Sequence, residues 1–188
     1  MKITIVLPTY NEAENLPGLV SALFMLPFDL NILVVDDNSP DGTGRIAEEL
    51  GRQFQGRIHV LRRAGKLGLR SAYIEGFKKA LELGADAIVQ MDADFSHDPA
   101  VLTEMARRIT ECDVVIGSRY IKGGSLDERW SRWRKFLSAF GNRYARAILG
   151  FPLHDVTTGY RMWKREALLK LPLDRIRSNG YIFLVEMA

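Results

Sequence analysis

The sequence predicts an α/β fold in which a mostly parallel central sheet carries helices on both faces. The chain has 188 residues, 47% of them hydrophobic and 26% charged, which is the balance of one soluble globular domain. Short β-branched runs alternate with longer amphipathic stretches as far as Gly117, and this alternation is typical of parallel sheets covered by helices. No run approaches the ~18 consecutive apolar residues of a membrane-spanning helix.

Each element follows from a local pattern. Five apolar runs bounded by turn residues predict strands at Ile3–Leu7, Asn31–Val35, Arg57–Leu61, Ala87–Met91 and Asp113–Gly117. Apolar residues at three- and four-residue spacing predict helices near Glu12–Met25, Thr43–Phe54, Ser71–Leu83 and Pro99–Thr110. Pro99 stands where a first-turn proline belongs, and Asp98 is expected as the N-cap. Beyond Gly117 the sequence predicts a long helix at about Arg132–Leu149 and one antiparallel strand around Gly159–Trp163.

Cysteine content and the N-terminal residues favour the cytosol. The single cysteine, Cys112, excludes an intramolecular disulfide and fits a reducing compartment. The first residues contain no basic stretch followed by the apolar core of a signal peptide. We therefore expect a cytosolic chain.

The net charge of +3 is unevenly distributed. Residues 119–146, the basic aromatic segment, contain eight lysines and arginines against two acids, so its charge is +6 and the remaining residues carry −3. The segment also holds Trp130, Trp133 and Phe136. It could bind a phosphate-rich partner, such as a nucleic acid, a membrane surface or a phosphorylated ligand. Composition alone favours the other interpretation, a solvated helix face with aromatic packing beneath it.

Carboxylates collect after the predicted strands, where open α/β sheets bind their ligands. The first strand is followed by Pro8-Thr9-Tyr10-Asn11-Glu12, the second by Asp36-Asp37 and a turn-rich stretch, and the fourth by Asp92-Ala93-Asp94. Carboxylates at one sheet edge repel one another unless a cation or a hydrogen-bond donor shares them. The sequence therefore predicts a ligand site at this edge.

The Asp92-x-Asp94 pair indicates a metal site. Residues two apart in extended chain point to the same side, so both carboxylates can converge on one hard divalent cation. An Asp-x-Asp alone is common by chance, but an acid pair after a buried strand is costly without a partner. His97 is close enough to Asp94 to reach this site, although a surface position is the default for a histidine.

Asp36 and Asp37 allow two interpretations. One carboxylate could accept hydrogen bonds from a nucleobase or ribose hydroxyl, while turn chemistry and an N-cap for the next helix explain the same residues structurally. Gly42-x-Gly44-x-x-Ala47 also matches the loose dinucleotide fingerprint. That alternative is disfavoured because the glycines do not follow the strand directly and Arg62-Arg63 ends the next strand, where an NAD enzyme requires an acid.

The motifs together resemble the polyprenol-phosphate (dolichol-phosphate) mannosyltransferases, a branch of the inverting glycosyltransferases with the GT-A nucleotide-sugar fold. The similarity runs through essentially the whole chain and rests on Val6–Glu12, Val35–Thr43, Gly68-Leu69, Met91–His97, Ile116–Tyr120, Asp155–Arg161 and Gly180–Phe183. The first two and the Asp-x-Asp are shared by many inverting glycosyltransferases. Ser39-Pro40-Asp41, Phe95-Ser96-His97 and the later motifs are typical of the polyprenol-phosphate branch.

The resemblance implies roles for particular residues. The expected nucleotide-binding residues are Pro8, Tyr10, Glu12, Asp36, Asp37 and Asp92. Asp92 and Asp94 would hold Mg²⁺ or Mn²⁺ on the diphosphate. Asp94, Arg119 and Asp155 are the expected catalytic residues, with Arg119 as the partner of a phosphate and Asp155 facing the sugar or the acceptor.

The expected reaction is metal-dependent transfer of mannose from GDP-mannose to a polyprenyl (dolichyl) phosphate, with inversion. A lipid phosphate has its second pKa near ~6, so it is already a competent nucleophile at pH 7 and needs no strong general base. A glucosyltransferase that uses UDP-glucose and a noncatalytic sugar-nucleotide-binding domain are the alternatives. A nucleic-acid-binding module explains none of the strand-end carboxylates, so no nucleic acid partner is expected.

The resemblance also bears on membrane association and on the extent of the chain. Trp130, Trp133 and Phe136 would insert at a bilayer surface while Arg129, Arg132, Arg134 and Lys135 meet anionic headgroups, which predicts peripheral association with the cytoplasmic face. Residues 1–188 are expected to form a single GT-A domain, truncated at its C-terminus. Arg70 stands where the family usually has a small residue, and it is expected to narrow that loop or add a phosphate contact.

Overall fold

The computed structural model describes residues 1–121, 124, 131, 133, 137, 140–143, 150, 153 and 155–187. Its strands are β1 (Ile3–Thr9), β2 (Leu30–Asp36), β3 (Ile58–Arg62), β4 (Ala87–Gln90), β5 (Val114–Ile116) and β6 (Arg161–Lys164). Its helices are α1 (Leu16–Phe24), α2 (Thr43–Gln53), α3 (Leu69–Glu82), α4 (Val101–Arg108), α5 (Arg165–Lys170), a 3₁₀ helix (Leu173–Arg175) and α6 (Tyr181–Glu186). Most of the predicted helix at Arg132–Leu149 lies outside the described residues, as do Arg129, Trp130, Arg132, Arg134, Lys135 and Phe136.

The sheet is mixed and mostly parallel, as predicted. Its strand order is β3-β2-β1-β4-β6-β5. Strands β1 to β4 run parallel to one another, and β6 runs antiparallel to both of its neighbours, β4 and β5. The predicted antiparallel strand is thus confirmed. Because β1 pairs with β2 on one side and with β4 on the other, the strand order reverses direction at β1. Such sheets bind ligands at this reversal, in the crevice at the carboxyl ends of β1 and β4.

The core lies on both faces of the sheet, which explains the nearly continuous apolar strands. On one face, Ile3, Ile5 and Leu7 of β1 pack with buried residues of α1, α2 and α4. On the other face, Val6 packs with α3, α5 and α6. Successive residues of β1 therefore face opposite layers, and the ends of the strands emerge between the layers.

Helices α1 and α4 begin later than the periodicity predicts. Helix α1 begins at Leu16 rather than Glu12, because the backbone N–H groups of Glu12 and Ala13 are held by side chains of the loop after β2. Helix α4 begins at Val101 with Ala100 in the N-cap position, so the prediction of Asp98 as the cap was wrong. Asp98 instead accepts a hydrogen bond from the Ala100 N–H in the preceding turn, at 2.9 Å.

Candidate functional site

Asp36 anchors the loop that follows β2. It has no exposed surface, and its Oδ1 accepts hydrogen bonds from the hydroxyls of Thr9, at 3.2 Å, and Ser39, at 2.6 Å. Gly44 must be a glycine here because a Cβ would lie 2.6 Å from Asp36 Oδ2 and 2.7 Å from an Arg62 nitrogen. The glycine pattern that resembled a dinucleotide fingerprint thus reflects close packing around Asp36. The assignment of Asp36 to nucleotide binding stays a prediction.

The loops after β1 and β2 are joined by hydrogen bonds. The backbone N–H groups of Asn11, Glu12 and Ala13 donate to the side chains of Ser39, Thr43 and Asp41, respectively, at 2.9 to 3.1 Å. Asp41 also accepts from the Thr43 N–H at 3.0 Å. The N-cap residue of α2 is Gly42, which makes no side-chain capping hydrogen bond, so the prediction that Asp36 or Asp37 caps this helix was wrong.

Three predicted nucleotide-binding residues lie in or beside these loops. Pro8 is half-buried near the end of β1, opposite Val35 of β2. Tyr10 is 36% exposed, and the Lys66 ammonium lies 4.1 Å from the centroid of its ring. Glu12 accepts a hydrogen bond from the Asn15 side chain at 2.8 Å. Lys66 was not among the predicted site residues, since a single lysine carries no spacing signal.

Asp37 is held by a buried arginine that sequence reasoning used only as an argument against NAD. Arg63 donates to Asp37 Oδ1, and the Leu67 N–H donates to Oδ2 at 3.1 Å. The Arg63 side chain is 1% exposed, so this ion pair is shielded from solvent. The pair fixes the Asp37 carboxylate beside the loop that carries Lys66.

Asp92 and Asp94 follow β4 at the same edge of the sheet. Asp92 is 39% exposed, and its Oδ1 accepts a hydrogen bond from the Tyr73 hydroxyl at 2.8 Å. Asp94 is exposed, and the Ser96 N–H donates to its Oδ1 at 2.9 Å. Tyr73 was not among the predicted site residues. Its position on the apolar face of α3 could have indicated it, because a buried tyrosine usually finds a partner for its hydroxyl.

His97 is partly buried beside Asp92, with 13% of its side chain exposed, so the default of a surface histidine was wrong. Its Nδ1 accepts a hydrogen bond from the Asp92 N–H at 3.1 Å, and its ring stacks on Tyr160 with centroids 4.7 Å apart. Burial lowers the pKa of His97 below its usual value. The charges of Asp92, Asp94 and Asp155 act in the opposite direction on this pKa, and the charge of Arg119 acts in the same direction as burial.

Arg119 and Asp155 form a bidentate ion pair. Arg119 Nε and Nη2 lie 2.7 and 2.9 Å from the two Asp155 carboxylate oxygens, and Nη2 also donates to the Thr157 hydroxyl. The Asp155 side chain has no exposed surface, whereas Arg119 is 27% exposed. Arg119 therefore stands between Asp155 and solvent. The catalytic assignment of both residues stays a prediction.

Two further arginines hold segments near the site together through hydrogen bonds to backbone carbonyls. Arg161 is fully buried and donates to the backbone carbonyls of Val156, Thr158 and Leu184, so it ties the loop after Asp155 to α6. Burial lowers its pKa to about 10, which leaves it charged at neutral pH. Arg70 donates to the Ile176 carbonyl at 2.7 Å and links the start of α3 to the segment before α6.

The chemistry of the donor set fits a cation shared with a ligand. Across the described ranges, no three His, Cys, Asp or Glu side chains gather closely enough to hold a metal ion by themselves. Mg²⁺ is commonly bound by one or two carboxylates together with substrate phosphates and water. Asp92 and Asp94 could supply those carboxylates.

Residues 4–171 match the family described as Glycosyl transferase family 2. The chain belongs to glycosyl transferase family 2. It is 43% identical over 184 residues to the polyprenol monophosphomannose synthase of Mycolicibacterium smegmatis, covering 97% of this chain and 69% of that protein. It is 43% identical over 187 residues to the undecaprenyl-phosphate mannosyltransferase of Micrococcus luteus, covering 100% and 76%.

A third similar protein is the dolichol-phosphate mannosyltransferase of Pyrococcus furiosus, 38% identical over 192 residues. The alignment covers this whole chain but only 52% of that protein. These relatives confirm the predicted resemblance to polyprenol-phosphate mannosyltransferases and the prediction that the chain is a glycosyltransferase.

Solved structures confirm the GT-A fold of this family 2 chain. Glucosyl-3-phosphoglycerate synthase from Mycobacterium tuberculosis, in complex with Mn²⁺, UDP-glucose and phosphoglyceric acid, has a TM-score of 0.66 at 19% identity. The match covers 98% of this chain and 62% of that one. The mannosyltransferase PcManGT from Pyrobaculum calidifontis, in complex with GDP-Man and Mn²⁺, has a TM-score of 0.63 at 16% identity, covering 96% and 50%.

No helix within the described residues combines the length and the apolar character needed to cross a bilayer.

Proposed function

We propose that the chain transfers mannose from GDP-mannose to a polyprenyl phosphate with inversion, in a metal-dependent reaction. The observation that carries the proposal is the arrangement of Asp92 and Asp94 beside the joined loops after β1 and β2, at the crevice between β1 and β4. Two further findings support the proposal. The 43% identical relatives are named as a polyprenol monophosphomannose synthase and an undecaprenyl-phosphate mannosyltransferase, and PcManGT was solved in complex with GDP-Man and Mn²⁺.

The loops after β1 and β2 would bind the nucleoside. The Tyr10 ring is exposed for contact with a base, and Asp37 is fixed by Arg63 with both oxygens oriented. Each carboxylate oxygen has a second lone pair, so Asp37 keeps acceptor capacity for donors of a base or ribose. The hydrogen bonds between the loops hold these groups in place before a ligand arrives.

Asp92 and Asp94 would hold Mg²⁺ or Mn²⁺ against the donor diphosphate. When bound, the metal neutralises charge that develops on the departing nucleoside diphosphate. Asp94 presents an exposed carboxylate that the Ser96 N–H orients. Asp92 presents a carboxylate whose Oδ1 is already occupied by the Tyr73 hydroxyl.

Arg119 would meet the acceptor phosphate. An acceptor oxygen forms the new bond to the anomeric carbon as the bond from that carbon to the diphosphate oxygen breaks, and GDP leaves with the electron pair. Since the acceptor is already anionic, the residues need to position it rather than deprotonate it. Asp155 orients Arg119 through two hydrogen bonds, and we assign it a positioning role in this reaction.

Transfer of label from GDP-[¹⁴C]mannose to a short polyprenyl phosphate tests the proposal. With Mn²⁺ present, the protein should produce labelled polyprenyl phosphate, and chelation of the metal should stop the reaction. UDP-[¹⁴C]glucose run in parallel separates the glucosyltransferase alternative. Absence of transfer from either donor would contradict the proposal and leave a noncatalytic sugar-nucleotide-binding domain.

We further propose that the protein acts at the cytoplasmic membrane surface through the basic aromatic segment. The same assay tests this with the acceptor carried in anionic vesicles. Replacing Arg129, Arg132, Arg134 and Lys135 with Gln should slow transfer to the vesicle-borne acceptor and spare transfer to a water-soluble short-chain phosphate. Equal rates on anionic vesicles before and after the replacement would contradict the membrane proposal.

A further inference from the structure

Tyr73 is a buried tyrosine on α3 whose hydroxyl reaches the predicted metal site. The side chain has no exposed surface. Its ring stacks on Phe77 of the same helix, with centroids 5.7 Å apart, and on Phe183 of α6, at 6.2 Å. These contacts fix the ring, so its hydroxyl is held beside Asp92, shortly after the end of β4.

The hydroxyl acts on one oxygen of Asp92. It donates to Oδ1 at 2.8 Å. The Nε2 atom of His97 lies 3.9 Å from the other oxygen, Oδ2, which is beyond hydrogen-bond distance. Among the described residues, none donates a hydrogen bond to Oδ2. The two oxygens of this carboxylate are therefore inequivalent.

The proton on Tyr73 is secure. A phenol is protonated at neutral pH and an ionised carboxylate can only accept, so the Tyr73 hydroxyl is the donor in its hydrogen bond with Asp92. Its donation leaves the Oδ1 lone pairs less available to a cation than those of Oδ2.

We propose that Tyr73 is a positioning residue that locks the Asp92 carboxylate with Oδ2 turned towards the cation. The inference rests on the proposed function, because it takes Asp92 as a metal ligand. Groups that orient a metal ligand without touching the metal typically contribute about 10- to 100-fold to its affinity. Here the donor is a rigid aromatic ring, so little motion remains for the carboxylate it holds.

Helix α6 belongs to this support. Phe183 stacks on Tyr73, and the Leu184 carbonyl accepts a hydrogen bond from the buried Arg161 at 2.7 Å. The last described helix of the chain thus contacts the residue that holds Asp92, through the stacking of Phe183 on Tyr73. Tyr73 connects that helix to the edge of the sheet where the diphosphate would bind.

Tyr73→Phe tests the inference, because phenylalanine keeps the ring contacts and removes only the hydroxyl. Binding of Mn²⁺ is measured by electron paramagnetic resonance in the presence of GDP, with thermal unfolding followed for each protein. We expect the dissociation constant for Mn²⁺ to rise about tenfold in Tyr73→Phe. Saturating Mn²⁺ should restore most of the transfer rate, since the ligand itself is retained.

Tyr160→Phe is the matched control. It removes another buried tyrosine hydroxyl at the same site, one that donates to the Asp98 carbonyl at 2.9 Å rather than to a carboxylate. Its Mn²⁺ affinity should stay within about twofold of the unmodified protein, well short of the effect of losing an orienting group. The comparison separates orientation of Asp92 from general loosening of the fold.

The outcomes that contradict each claim are distinct. Equal Mn²⁺ affinity in Tyr73→Phe and the unmodified protein would overturn the role of Tyr73, as would an equal loss in both tyrosine variants. Failure of the unmodified protein to bind Mn²⁺ with GDP would instead overturn the metal site of the proposed function.

Discussion

Asp94→Asn is expected to abolish the Mn²⁺-dependent part of GDP binding and to lower transfer by about 10³-fold, since metal stabilisation of the leaving group is worth several kcal/mol. Asparagine keeps the size of the side chain and an oxygen that can accept from the Ser96 N–H. It removes the negative charge that a hard divalent cation prefers. Calorimetric titration of GDP with and without Mn²⁺ measures the effect, and metal-free GDP binding should be unchanged.

Asp98→Asn provides a control with the same local geometry. Asp98 is also exposed, and its carboxylate also accepts a hydrogen bond from the N–H two residues further along, at 2.9 Å. Its replacement should leave the Mn²⁺-dependent binding of GDP intact. If Asp94→Asn bound GDP with the same Mn²⁺ dependence as Asp98→Asn, Asp94 would not be a metal ligand.

Arg119→Ala is expected to lower the free energy of unfolding by about 3 kcal/mol, because it strands a buried carboxylate without its cation. The Asp155 side chain has no exposed surface, and both of its oxygens accept from Arg119. Urea unfolding measures the loss. Arg108→Ala is the matched control, since Arg108 pairs with Glu104 on an exposed helix surface and such pairs contribute only about 0 to 1 kcal/mol.

A double replacement separates stability from chemistry. Arg119→Ala combined with Asp155→Asn removes the unpaired charge, so it should regain a large part of the lost stability. Transfer to polyprenyl phosphate should remain as low as in Arg119→Ala, because the cation that meets the acceptor is still missing. Recovery of transfer together with stability would show that Arg119 serves only the fold.

The sequence was most informative about the parallel strands, because their apolar runs are buried on both faces. Strands β1 to β4 lie within two residues of their predicted bounds at either end. The antiparallel strand β6 was also predicted, but its insertion between β4 and β5 was not. Strand order is set by packing between distant segments, and no local pattern at Arg161–Lys164 encodes which neighbours it pairs with.

For the candidate site, the sequence indicated which carboxylates collect at the sheet edge but not what holds them. Their partners come from distant positions: Tyr73 is 19 residues from Asp92, and Arg63 is 26 residues from Asp37. Tyr73 reaches Asp92 because α3 packs on the sheet, and Arg63 reaches Asp37 because β3 pairs with β2. Neither Asp36 nor Asp37 caps α2, because the loop after β2 extends to Gly42 before the helix begins, and Asp36 is buried within that loop's hydrogen bonds.

Anomalous diffraction from crystals grown with GDP and Mn²⁺ tests the central claim most directly. The account predicts one strong manganese peak at the end of β4, within coordination distance of Asp92 Oδ2 and Asp94, with the diphosphate on its other side. The guanine should lie against Tyr10 and Asp37. A manganese peak away from these carboxylates, or GDP bound outside the crevice between β1 and β4, would contradict the account.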